Sequence, residues 1–297
     1  ILQILTSDTR KMTLASTFFP SPAARKERPV TALNFIAVDD VSDPRIEPFR
    51  EVRDRDLVGR RGQFIAEGEV VLRHLAVTPL HKPLAFLCAA DRTARMADIL
   101  AGLTAPAPIY VASQAVMDAI VGFPIHRGLL GLGARGEQAV DDLLRPQPAT
   151  VLALHGISNH DNMGGLFRNA AAFGVDAVIL DATCCDPLYR KALRVSVGAA
   201  LRTPFARLAP DADLLAVLEG AGLKAAALSP SGRTALSDWR PPERVAMILG
   251  AEGPGLPSGL MARCETLSIP MAEGFDSLNV ATTSGIVLHH RAATRAD

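Results

Sequence analysis

The chain has 297 residues, 48% of them hydrophobic and 21% charged, a balance that excludes a mostly disordered chain, a collagen or a small disulfide scaffold. Basic and acidic residues number 31 each, so net charge gives no global case for a polyanionic partner, and no run approaches the ~20 apolar residues of a membrane span. Basic residues comprise 26 Arg and 5 Lys; Arg suits phosphate, and a GC-rich genome gives the same bias. Cys88, Cys184, Cys185 and Cys264 form no CxxC pair and read as free thiols of a reducing cytoplasm. No His, Cys and carboxylate spacing suggests a metal site.

Residues 1–28 show no sustained period and read as a tail, with Met12 as a candidate start. From 29 to 140 short strand-like and helix-like pieces alternate. The runs 33–38, 63–68, 83–89, 109–113 and 128–134 are strand candidates. Ile46, Phe49 and Val52 have helical spacing, as do Val70, Val71, His74 and Leu75. The helix of 91–103 is expected to take Asp91 as its N-cap. Residues 141–149, charged and then proline-containing, read as a linker. From 150 to 297 a second α/β unit follows. The strand candidates are 150–156, 175–181, 223–229 and 244–250. Helices are expected at 164–174, at 185–200 with Asp186 as N-cap, at 211–222, and at 277–293. Strands alternating with helices predict a largely parallel sheet.

Three polar, glycine-bearing clusters follow apolar strands, where open α/β sheets bind ligands. In the first, Asn162 and Gly164-Gly165 open a helix whose free N–H groups suit an anion, with Arg168 one turn in. The second, 248–257, is a glycine loop whose one ionisable group is Glu252; it has neither GxGxxG nor a Walker lysine. In the third, a strand ending at Pro270 leads to Ser277, Leu278 and Asn279 at a helix start, with Ser277 a good N-cap. Singly, each also fits an ordinary cap or turn. Ser229-Pro-Ser-Gly reads as a turn, not a nucleophile elbow.

In order and spacing the three clusters resemble the motifs of SpoU-type RNA methyltransferases of the SPOUT superfamily. Asn162, Gly164 and Arg168 match N-x-G-x-x-x-R. Gly250, Ala251, Glu252, Gly253 and Gly255 match G-[NA]-E-G-x-G. Ile269, Pro270 and Met271 with Ser277 to Val280 match I-P-M followed by S-L-N-V. More weakly, 43–135 resembles the substrate-binding domain, similar to the L30e or L7Ae fold, that precedes the catalytic domain in many members.

The resemblance implies an α/β catalytic domain with a deep C-terminal trefoil knot, working as a homodimer with its active site near the dimer interface. S-adenosylmethionine would be held by Leu249, Gly250, Ala251, Gly255, Ile269, Met271 and Leu278. The reaction would be methyl transfer to a ribose 2′-hydroxyl of RNA, ribosomal somewhat favoured over transfer RNA, with no metal. Arg168 would act on the hydroxyl, as proton acceptor or as a phosphate clamp, since a guanidinium ordinarily keeps its proton. Asn162, Glu252, Ser277 and Asn279 would position ribose, phosphate or Arg168. Arg60 and Arg61, with Arg190, Lys191 and Arg194 from a segment of local charge +4 over 186–207, are the expected RNA contacts. Two other readings are a non-catalytic RNA-binding relative and a nucleotide-dependent enzyme such as a dehydrogenase. The intact motif residues oppose the first, and the missing dinucleotide fingerprint opposes the second.

Overall fold

Apolar runs too short for helices pair into two sheets. The computed structural model describes residues 33–50, 58, 59, 61–121, 128–147, 149–275 and 277–294. The first sheet has five strands in the order β1-β4-β3-β5-β2: β1 Phe35–Val38, β2 Gln63–Glu67, β3 Lys82–Ala89, β4 Ile109–Ala112 and β5 Leu129–Ala134. Strands β1, β4 and β3 run parallel, and β5 is antiparallel to β3 and β2. Helices α1 Glu69–Val77, α2 Thr93–Leu100 and α3 Gln114–Val121 connect them, after a 3-10 turn at Pro44–Phe49 that buries Ile46 and Phe49.

The second sheet has seven strands in the order β10-β12-β9-β11-β6-β7-β8. They are β6 Thr150–His155, β7 Ala177–Leu180, β8 Phe205–Arg207, β9 Lys224–Leu228, β10 Thr234–Ala235, β11 Val245–Gly250 and β12 Glu265–Ser268. Every pairing is parallel. Crossovers cover both faces of such a sheet, so its central strands read as continuous apolar runs; Val151–Leu154 and Val245–Leu249 are all buried. The helices are α4 Val140–Leu144, α5 His160–Ala172, α6 Arg190–Val195, α7 Leu214–Gly220, α8 Ser258–Met261 and α9 Val280–Thr294. One apolar core runs from Phe64, Leu75 and Phe86 of the first layer to Leu152, Phe167 and Leu249 of the second, and the described residues cluster as one compact unit. Segment 141–149 carries most of α4, and Leu144 is buried in the second layer's core.

The helix starts differ from their expected places. Asp91 lies in a 3-10 turn and pairs with Arg92 at 3.4 Å, while α2 begins after Arg92 with no side-chain cap. Asp186 caps no helix: its carboxylate accepts from Leu188 N at 2.9 Å and pairs with Arg135 of the first layer, and α6 begins after Tyr189. Asn279, not Ser277, caps α9, with its Oδ1 accepting from the amides of Ala281 and Thr282 at 2.9 and 3.2 Å. On α1, Val70 faces out and Leu72 takes its place in the core, because the burying face centres on Leu72, Leu75 and Ala76. Residues 1–28 and Val52 lie outside the described residues.

Candidate active site

Strands β12, β9, β11 and β6 are consecutive parallel neighbours, so their carboxyl ends, Ser268, Leu228, Gly250 and His155, form one continuous edge. The loop after β11 folds back on itself: Gly255 N donates to Ala251 O at 3.0 Å. A Cβ on Gly250 would lie 2.6 Å from the Gly255 carbonyl carbon, so only glycine fits and the backbone is bare there. Ala251 is half-buried and Gly255 exposed on that loop; Leu249 beneath is buried in the core. Beyond β12, Ile269 and Met271 are half-buried, and Leu278 is 39% exposed.

The turn Ser229–Gly232 after β9 leaves the same edge, between the other two loops. Ser229 N donates to Leu267 O at 2.9 Å, and a Cβ on Gly232 would lie 2.2 Å from the Leu267 carbonyl carbon. Sequence motifs assign this turn no part in the site. Its signal is the one the other clusters share, a glycine turn at the carboxyl end of an apolar strand.

The three motifs meet through one side chain. Asn159 caps α5 and accepts from the amides of Asp161 and Asn162 at 2.8 and 3.2 Å, which fixes the first turn and buries Asn162. Capping α9 requires the Asn279 oxygen to face the helix amides, so its NH₂ must face away from them. It donates to Asn162 Oδ1 at 2.8 Å and to Glu252 Oε1 at 2.7 Å. Asn162, Glu252 and Asn279 thus form one hydrogen-bonded cluster at the sheet edge.

Arg168 stands beside this cluster, not within it. It is exposed on α5 and forms no hydrogen bond or ion pair among the described residues. It lines an open cleft of about 660 Å³ between α5 and α9, with Gly165, Asn169, Ala281, Thr282 and Gly285. Ser277 is exposed on the segment entering α9.

The expected RNA contacts have unequal settings. Lys191 Nζ lies 2.6 Å from Asp161 Oδ2, and Arg190 Nε lies 3.9 Å from Glu67 Oε2 of the first layer. Arg194 is exposed and unpaired among the described residues. Arg61 pairs with Glu47 at 3.3 Å on the surface, and Arg60 lies outside the described residues. Arg207 serves the fold, donating to the carbonyls of Asp181, Cys184 and Cys185 at 3.0, 2.7 and 3.3 Å.

At the end of β7, burial works to raise the Asp181 pKa. Hydrogen bonds from Gly156, Thr183 and Cys184, with His155 3.6 Å away, outweigh it and leave the group below the usual carboxylate range. Burial pushes the Cys184 thiol up to about 12 and Cys185 to about 11, so neither is a thiolate nucleophile at neutral pH. Among the described residues no group of three or more His, Cys, Asp or Glu side chains is arranged to hold a metal ion.

The profile of the SpoU rRNA methylase family matches residues 149–289, which contain all three motifs. An uncharacterized tRNA/rRNA methyltransferase of Mycobacterium tuberculosis is 38% identical over 267 residues, covering 86% of this chain and 90% of that protein. Among solved structures, an AdoMet-bound rRNA methyltransferase from Sinorhizobium meliloti superposes with a TM-score of 0.75 at 22% identity, over 88% of this chain and 98% of the other. An RNA 2′-O ribose methyltransferase superposes with a TM-score of 0.72 at 22% identity, over 88% and 99%. At these identities the two structures establish a shared fold spanning both layers. The motif order, the single edge on which the motifs meet and the match to the relative agree: the chain belongs to the SpoU methylase family.

Proposed function

We propose that this chain is an S-adenosylmethionine-dependent methyltransferase that modifies a ribose 2′-hydroxyl in structured RNA, ribosomal RNA being favoured over transfer RNA. The observation that carries the reading is the Asn279 amide, which ties Asn162 of the first motif to Glu252 of the second from the start of the third. A site that fixes three separate chain segments by one amide is built for positioning, and alignment of reacting atoms supplies up to ~7–11 kcal/mol in good cases.

The sheet edge suits S-adenosylmethionine. Gly250 leaves backbone bare where a Cβ has no room, and the apolar side chains of Ile269, Met271 and Leu278 stand near by in the sequence that follows β12. Leu249, Gly250, Ala251, Gly255, Ile269, Met271 and Leu278 would hold the cofactor, Leu249 through its backbone because its side chain belongs to the core. When bound, the cofactor supplies a methyl group on a sulfonium, so the chain need supply only alignment and a path for the hydroxyl proton. Arg168, exposed and unpaired among the described residues, is available to a phosphate next to the target ribose, where its charge also polarises the hydroxyl. Asn162, Glu252 and Asn279 hold the ribose side of the site, with Ser277 at its entrance.

The same proposal assigns 29–140 as an L30e-like RNA-binding domain joined through 141–149 to a catalytic domain at 150–297, with the trefoil knot and homodimer that the family resemblance implies. Arg61, Arg190, Lys191 and Arg194 are its candidate phosphate contacts, together with Arg60. Calorimetry with S-adenosylmethionine and NAD tests the cofactor directly: the first is expected to bind and the second not. Binding of NAD in place of S-adenosylmethionine would replace this reading with a dehydrogenase. Binding of S-adenosylmethionine without methyl transfer to any cellular RNA would leave a non-catalytic relative.

A further inference from the structure

We infer that Asn169 is a positioning residue for the proposed reaction: its side-chain amide pins the first turn of α9 to α5 and so sets the place of Asn279. The inference rests on the reading above.

Asn169 follows Arg168 on α5 and is half-buried. Its Nδ2 donates across to α9 twice, to Ala281 O at 2.6 Å and to Ser284 Oγ at 2.8 Å. Ser284 Oγ in turn donates to the same Ala281 carbonyl at 2.7 Å, and Ser284 is completely buried. The three groups close a network in which both amide hydrogens are used. Such a network is worth most where water is excluded. Small residues make it possible. A Cβ on Gly165 would lie 2.7 Å from the Ala281 Cβ, and one on Gly285 would lie 3.3 Å from Asn169 Nδ2. The helices are therefore close enough for an asparagine to span the gap.

Ala281 is two residues beyond Asn279. Asn279 has to meet Asn162 Oδ1 at 2.8 Å and Glu252 Oε1 at 2.7 Å while it caps α9. Asn162 and Asn169 lie on the same helix, so α5 holds the start of α9 at two points, one in the polar cluster and one through Ala281. Other contacts keep the helices together without setting that register: Val280, Val287 and Leu288 are buried, and Phe173 meets His289 edge to face at 6.0 Å. Removing the Asn169 donors should therefore misplace Asn279 while the fold persists. Displacements of this kind near reacting groups cost rate more than binding.

The test is a kinetic double-mutant cycle on the full chain, with RNA from cells lacking the gene. Asn169→Asp keeps the shape and removes both donors; Asn279→Ser keeps a cap and removes the bridging NH₂. Asn169→Asp is expected to lower kcat at least about tenfold, with the KM for RNA and the Kd for S-adenosylmethionine within about threefold of wild type. In the Asn279→Ser background it should cause no further loss, because the residue it acts through is already gone. If Asn169→Asp fails to fold in a thermal melt, Ser284→Ala takes its place, with an expected loss of about two- to fivefold that again vanishes in the Asn279→Ser background. An unchanged kcat, or losses that multiply in the double variant, overturns the inference. Absence of methyl transfer by the wild-type chain overturns the proposed function instead.

Discussion

Asn279 meets two demands with one amide: its oxygen satisfies the start of α9, and its nitrogen joins Asn162 to Glu252. Substitution separates the two. Asn279→Ala should lose both, costing about 1 kcal/mol of stability as a lost cap along with most of the methyl transfer. Asn279→Ser should melt within about 0.5 kcal/mol of wild type, since serine caps nearly as well, yet lose a similar share of the turnover while keeping a measurable residue of it. A serine variant with wild-type turnover would remove the bridge from the account. The bridge was not legible in the sequence. The resemblance names Asn279, but the partners lie 117 and 27 residues away, and only the fold gives the amide its direction.

At the scale of elements, the central strands were legible because a two-faced parallel sheet demands unbroken apolar runs, and Val151–Leu154 and Val245–Leu249 supply them; β8 and β10, of three and two residues, are too short to give such a run. Helix starts were less so. Asp91, Asp186 and Ser277 all have cap chemistry, but Asp186 spends its carboxylate on Leu188 N and on Arg135, 51 residues away. A local turn and one tertiary partner took the Asp186 carboxylate, while Asp91 turned to its neighbour Arg92. The β11 loop offers an element-level test. Gly250→Ala would push a methyl group to within 2.6 Å of the Gly255 carbonyl carbon, so the loop must shift. Calorimetry should then show at least about tenfold weaker S-adenosylmethionine binding, the size expected when the backbone can no longer approach the cofactor closely. Unchanged affinity would place the cofactor elsewhere. The turn after β9 shows the complementary failure: its residues carry no motif, and only strand order brings it to the edge.

At the scale of the whole molecule, the two layers share one core, and His81 sits at their seam. It is 6% exposed, packs edge-on against Phe64, and its Nδ1 accepts from Gly136 N at 3.1 Å. Burial first, and then the Arg135 charge, hold its pKa down to about 4. The unfolded chain takes up this proton near pH ~6.5 and the fold only near 4. The neutral-His contribution is therefore complete above pH ~6.5 and falls as pH drops toward 4, by about 3 kcal/mol at most. Melting temperature against pH should show this slope in wild type and a shallower one in His81→Asn, which keeps an acceptor but does not titrate; equal slopes would contradict it. For the proposed RNA face, Lys191→Gln with Arg194→Gln should weaken RNA binding and reduce the salt slope by roughly 1–2, because two cations no longer neutralise phosphates. An unchanged slope would leave α6 out of the interface.

Methylation of an RNA ribose is tested by mapping 2′-O-methyl groups site by site in RNA from cells with and without the gene. One site is expected to disappear, to return with the wild-type chain, and to stay absent with Arg168→Ala. No lost site, or full restoration by Arg168→Ala, would contradict it.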